Sequence, residues 1–74
     1  MVPTLNLSDM SYKEVEDEVT KFLSLWIGKH FCAYFITGGD KILSDLVIKT
    51  ATSHGLEYMT DMPGYPDRVR VIML

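Results

Sequence analysis

Apolar positions along the chain recur at two different periods, and the places where the period changes mark six elements. In VPTLNL, residues 2–7, Pro3, Leu5 and Leu7 alternate with Thr4 and Asn6, which predicts a short strand with proline near its start. Ser11-Tyr12-Lys13-Glu14 has the spacing of a capping box, with Met10 and Val15 placed as its hydrophobic staple. From there Tyr12, Val15, Val19, Phe22, Leu23 and Trp26 recur at three and four, giving one helical stripe that Gly28 ends. Glu14, Glu16, Asp17 and Glu18 lie early in this helix and Lys29 and His30 late, as the helix dipole favours.

Residues 31–37, FCAYFIT, are apolar on both faces and predict a central strand covered on at least one side by helices. After Gly38-Gly39, Asp40 is suited to an N-cap. Leu43, Leu46, Val47, Thr50, Ala51 and His54 form a second helical stripe that Gly55-Leu56 closes as a glycine cap with its apolar follower. Leu56 to Thr60 predicts a short strand, and residues 62–67, MPGYPD, are dense in turn formers. In the last segment, RVRVIML, Val69, Val71 and Met73 alternate with Arg68, Arg70, Ile72 and Leu74, as in a strand. Helical crossovers make the first three strands parallel where they neighbour and put both helices on one face. The expected fold is a two-layer α/β sandwich of order β-α-β-α-β-β, a mixed four-stranded sheet with two helices on one face, filling residues 1–74 as a single domain.

Composition narrows what such a fold can do. A chain of 74 residues, 47% hydrophobic and 23% charged, has the make-up of one small globular domain, expected as a monomer or small homo-oligomer. Its one cysteine, Cys32, allows no internal disulfide. No apolar stretch reaches the roughly 18 to 20 residues of a membrane span, and MVPTLNLSDM lacks the order of a signal peptide, so the expected setting is cytoplasmic with no membrane partner. Ten acidic against seven basic residues, net −3, opposes loose charge-driven attachment to nucleic acid, and any such contact has to be local.

Candidate chemistry is sparse. The Gly38-Gly39 loop leads into a helix whose first amides could take a phosphate, but it lacks the glycine spacing of a phosphate-binding loop, and Asp40 would put a carboxylate on those amides. His30 and His54 each sit at a helix end, and no cluster has metal-ligand spacing, so no metal and no cofactor are expected. Arg68 and Arg70 share one face of the last strand. With Lys41, Tyr65 and the Gly38-Gly39 loop they could make a small phosphate-and-stacking surface, or they could be ordinary sheet-surface charges. Glu14, Asp17 and Glu18 on the first helix, and Met59, Met62 and Tyr65 with Tyr58 around the last turn, could instead dock a protein partner, or be a solvated helical turn and the lid of a thin core.

Several of these stretches together resemble the small MutS-related (Smr) domain. Leu5-Asn6-Leu7-Ser8-Asp9-Met10 is similar to that family's Leu-Asp-Leu-His-Gly-Leu motif, with three of the six keeping their character. Ile36-Thr37-Gly38-Gly39-Asp40 resembles its Ile-Thr-Gly-x-Gly turn without the last glycine. His54-Gly55-Leu56-Glu57-Tyr58, and Pro63-Gly64 followed by Arg68-Val69-Arg70-Val71, look like its later segments. Related β-α-β-α-β-β folds, among them Alba proteins and the C-terminal domain of the third translation initiation factor, fit nearly as well. A small sulfur carrier of the same order needs a Cys-Pro that is absent, and the Arg-x3-His domain needs residues that Ser44 and Ile48 replace. The resemblance implies nucleases or binders of branched DNA or messenger RNA, in which the Asp and His of the first motif are tied to cleavage. Here these are Asn6 and Ser8, which supply neither a carboxylate base nor an imidazole. The expectation is therefore a non-catalytic module that binds RNA, DNA or a ribonucleoprotein through Gly38, Gly39, Lys41, Tyr65, Arg68 and Arg70, RNA ahead of DNA. The alternative is a small interaction module or inhibitor docking on a larger protein through Glu14, Asp17, Glu18, Met59, Met62 and Tyr65.

Overall fold

The structure is a computed structural model and describes residues 1–73. Six elements follow one another: β1 (Thr4–Asn6), α1 (Tyr12–Trp26), β2 (Cys32–Ile36), α2 (Lys41–Ser53), β3 (Glu57–Met59) and β4 (Arg68–Ile72). The sheet has the order β1-β2-β4-β3, with β1 parallel to β2 and β4 antiparallel to both β2 and β3. The mixed two-layer sandwich expected from the periodicity is the one observed. The strand that closes the chain is inserted between β2 and β3, so β2 and β4 are central while β1 and β3 form the edges.

The layers are held by one core. Leu7, Val15, Val19, Leu23, Ala33, Phe35, Leu43, Val47, Ala51, Val69, Val71 and Met73 are buried together, with Met10, Phe22, Trp26 and Leu56 packed against them. Phe35 is its largest fully buried side chain, and full burial of a ring like this stabilises by about 1.5–3 kcal/mol. Its edge meets the Phe22 ring of α1 at 5.6 Å, which ties helix layer to sheet.

Four details depart from expectation. The Ser11 capping box does not form: Ser11 sits at the N-cap of α1, but its hydroxyl makes no capping bond. Its carbonyl accepts from the Glu14 amide at 3.0 Å instead, and of the two staple residues Val15 is buried in the core and Met10 packs against that core. Tyr12 leaves the apolar stripe and is exposed, because its hydroxyl donates to Asp40 Oδ2 at 2.8 Å, bridging the starts of the two helices. Lys29 and His30 fall beyond α1, whose last turn contains no basic residue. The edge strands are also shorter than predicted. Pro3 has no amide to extend β1, and the Leu56 amide is used by Ala51 O in capping α2. Leu74, placed by the alternation at the end of the last strand, lies outside the described residues.

Candidate nucleic-acid interface

The site follows from the pleat. Along β4 the side chains alternate, so Val69 and Val71, at 1% and 0% exposure, face the helices while Arg68, Arg70 and Ile72 face away. In β2, Ala33 and Phe35 face the helices, and Tyr34 and Ile36 point the other way. The register then sets Tyr34 beside Arg70 and Ile36 beside Arg68 on a face with no helix over it. Met59 pairs with Arg70 from β3, Glu57 lies further along the same edge, and Thr4 and Asn6 border the face from β1.

On this face the long side chains are organised rather than splayed. The Tyr34 and Tyr65 rings stack at 6.0 Å with 21° between their planes. The Arg68 guanidinium carbon lies 5.5 Å from the Tyr34 centroid and 4.8 Å from that of Tyr65, so cation and rings form a triangle. Arg68 Nε donates to Asp67 Oδ1 at 3.2 Å, which fixes the guanidinium and offsets part of its charge. Tyr65 reaches Tyr34 because the turn before β4 folds back, its amide donating to Met62 O at 2.9 Å. Arg70 lies 5.6 Å from the Phe31 ring, and the Cys32 sulfur beside it favours its charged form. Cys32 is wholly buried although it points to the uncovered face. Among the described residues no carboxylate pairs with Arg70, and its Nε is buried without an acceptor.

The glycine corner closes one end of this platform. Gly38 and Gly39 have φ of +62° and +81°, a left-handed pair that other residues resist. Asp67 O accepts from the amides of Thr37 at 2.8 Å and Gly38 at 3.1 Å, pinning the corner to the start of β4 and so to Arg68. Asp40 Oδ1 accepts from the amides of Ile42 at 2.8 Å and Leu43 at 3.3 Å. The helix start is thus occupied by the protein's own carboxylate. The Tyr12 hydroxyl, and then those amides, hold Asp40 below the ordinary aspartate range, while the same contact raises Tyr12. Lys41 is exposed beside Gly39, Asp45, Asp61 and Pro66 in a shallow hollow at this corner.

Of the six expected binding residues, Tyr65, Arg68 and Arg70 come together on the uncovered face and Gly38 and Gly39 bound it, whereas Lys41 starts α2 and lies in the hollow it shares with Gly39, Ser44, Asp45 and Ile48. The residues of the protein-docking alternative do not form one surface. Glu14 and Asp17 are exposed and Glu18 half-buried on α1, in the helix layer, whereas Met59 and Tyr65 flank the uncovered face and Met62 is half-buried in the turn. Two members of the platform, Tyr34 and Phe31, escaped the sequence reading because they sit in an apolar run that looks like core throughout. The signal for Tyr34 was available in the Arg-Val alternation of β4, which marks one face of its neighbour as uncovered.

Two of the stretches that carry the family resemblance, Leu5–Met10 and Ile36–Asp40, lie side by side. At the carboxyl ends of parallel β1 and β2, a Cβ built on Gly38 would lie 3.5 Å from the Ser8 Cβ, an ordinary contact. The Ser8 hydroxyl and amide donate to Asn6 Oδ1 at 2.6 and 2.9 Å. This pair holds the loop and contains neither acid nor base. Among the described residues no group of three His, Cys, Asp or Glu could hold a metal ion, and His54 is engaged with Thr50 O through Nδ1 at 2.8 Å. No helix is long and apolar enough to cross a membrane. Comparison of the chain with family models, curated proteins and solved structures gives no match.

Proposed function

We propose that this domain is a small non-catalytic, Smr-like module that binds single-stranded nucleic acid, RNA ahead of DNA, on the uncovered face of its sheet. The observation that carries the proposal is the Tyr34–Tyr65–Arg68 triangle with Arg70 beside it, on the two central strands. Flat rings at the surface of a sheet stack unpaired bases, and adjacent guanidinium groups contact the backbone. Duplexes hide their bases, so a platform of exposed rings suits single strands. At the margin on β1 the Asn6 Oδ1 is taken by Ser8, which leaves the Asn6 side-chain N–H groups as donors suited to a 2′-hydroxyl. The motif order supports the Smr likeness, and Asn6 and Ser8 in place of the cleavage residues support binding without hydrolysis.

Charge sets the scale of the expected affinity. Arg68, Arg70 and Lys41 can neutralise about three phosphates, which gives a slope of roughly −2 in log K against log salt for a single strand. Binding is accordingly modest, and the net charge of −3 keeps it local. Fluorescence anisotropy with a labelled octauridylate across a salt series tests this. Affinity that rises at low salt and falls, with a shallower salt slope, in Arg68→Ala plus Arg70→Ala supports the proposal, and no binding at low salt ends it.

A further inference from the structure

At the end of the platform opposite the glycine corner, a hollow of about 400 Å³ is lined by Gly28, Lys29, His30, Phe31 and Met73. We propose that this hollow seats one unstacked nucleobase of the same strand, making it the terminal pocket of the track. The proposal rests on the platform binding a single strand. Phe31 belongs to both places: its ring forms part of the hollow's wall and lies 5.6 Å from the Arg70 guanidinium of the platform. A strand following β2 and β4 past Arg70 therefore meets this opening next.

The lining selects the ligand. Phe31 is 47% exposed and held by the near-parallel His30 ring at 6.3 Å and 25°, so a flat apolar surface is presented in a set position. Met73, only 4% exposed, lines the hollow as part of the core, and Lys29 adds a cation. Among the described residues no carboxylate side chain lines the hollow. A neutral heteroaromatic ring attached to a phosphate uses both features, whereas a purely aliphatic ligand leaves the lysine unmet and a cation is repelled.

A second observation marks the same place. Three buried side-chain nitrogens have no hydrogen-bond partner among the described residues, Trp26 Nε1, His30 Nδ1 and Arg70 Nε. All three belong to one file of contacts, Trp26 to His30 at 6.0 Å, His30 to Phe31 at 6.3 Å and Phe31 to Arg70 at 5.6 Å. Buried unpartnered groups are few in native proteins and gather where function requires them. Here two of them, on His30 and Arg70, belong to side chains beside the Phe31 ring, and the third, on Trp26, lies one ring further along.

Trp26 is the only tryptophan and lies against His30 of the hollow's lining, so its emission reports on that lining. The test combines anisotropy and Trp26 emission during titration with octauridylate and, separately, uridine 5′-monophosphate. Both ligands are expected to change Trp26 emission in the wild type. Phe31→Ala should abolish that change and weaken the octamer by about tenfold, while Lys29→Ala weakens it less. Tyr65→Ala should weaken the octamer yet keep the emission change at saturation. An octamer that binds wild type and Phe31→Ala equally, with no change at Trp26, overturns the pocket and leaves the platform standing. An octamer that binds nothing by either readout overturns the platform, and the response of Trp26 to the mononucleotide then decides the pocket alone.

Discussion

The two faces of the sheet are made by the same two strands and differ in what covers them. On one side Phe35, Ala33, Val69 and Val71 lie beneath two helices at 0 to 1% exposure, and their interactions stabilise the fold. On the other, Tyr34, Arg68 and Arg70 are half-buried, with Tyr65, Asp67 and Phe31 packed beside them and no helix above. Alternation along a strand places a core face and an uncovered face one residue apart, so neighbouring substitutions in β4 should have unrelated consequences.

That contrast is broken most strongly at Phe35. Phe35→Ala should cost about 3–5 kcal/mol in urea unfolding, a large share of the stability of so small a domain, because it opens a cavity the helices cannot fill. Tyr34→Ala, one residue away on the uncovered face, should retain a cooperative transition near that of the wild type while weakening oligonucleotide binding. Stacking on an aromatic side chain contributes roughly 1–3 kcal/mol per base, so a loss of about tenfold is expected. If Tyr34→Ala unfolds the domain as Phe35→Ala does, the two faces are not functionally separate.

Next in size is the loss of the arginines. Arg68→Ala with Arg70→Ala should leave the thermal midpoint close to wild type and reduce the salt slope by about 1.4, two phosphate contacts at roughly 0.7 each. An unchanged slope would place the phosphate contacts elsewhere. The smallest effect concerns the Tyr12–Asp40 contact at the helix starts. Asp40 is depressed in the folded state, so its contribution is present above the ordinary aspartate range and lost as pH falls through its folded value. Tyr12 is raised, so its contribution is present below the ordinary tyrosine range and lost as pH rises through its folded value. Tyr12→Phe should remove the alkaline loss and shrink the acid one in a thermal melt at varied pH, with oligonucleotide binding unaffected.

Much of the fold was legible in the chain because each element carries its own local signal. The Asp40 cap, the Gly55-Leu56 stop and the Arg-Val alternation each correspond to a feature seen in the structure. The capping box at Ser11 was misleading for a tertiary reason: the core holds Met10 and Val15 well enough that the cap bond is dispensable. The site was only half legible. Arg68, Arg70 and Tyr65 could be named, but their partner Tyr34 depends on β4 lying next to β2, a strand order that no local pattern contains. Phe31 was hidden for another reason. It precedes the regular strand, so alternation does not say where its ring goes.

The glycine corner, read in the sequence as a possible phosphate cradle, contributes position instead. Its amides bind Asp67 O and its following helix is capped by Asp40, so the corner fixes the start of β4 and thereby aims Arg68 across Tyr34 and Tyr65. Gly39→Ala, forced to keep a φ of +81°, should loosen this corner at a cost of about 1–3 kcal/mol.

The central claim is that the uncovered face meets the nucleic acid, and amide chemical-shift mapping tests it most directly. Titration of ¹⁵N-labelled protein with octauridylate at low salt should move the amides of Tyr34, Tyr65, Arg68 and Arg70 together while those of Glu14 to Glu18 on α1 stay in place. Shifts confined to α1, or none at all, would contradict it.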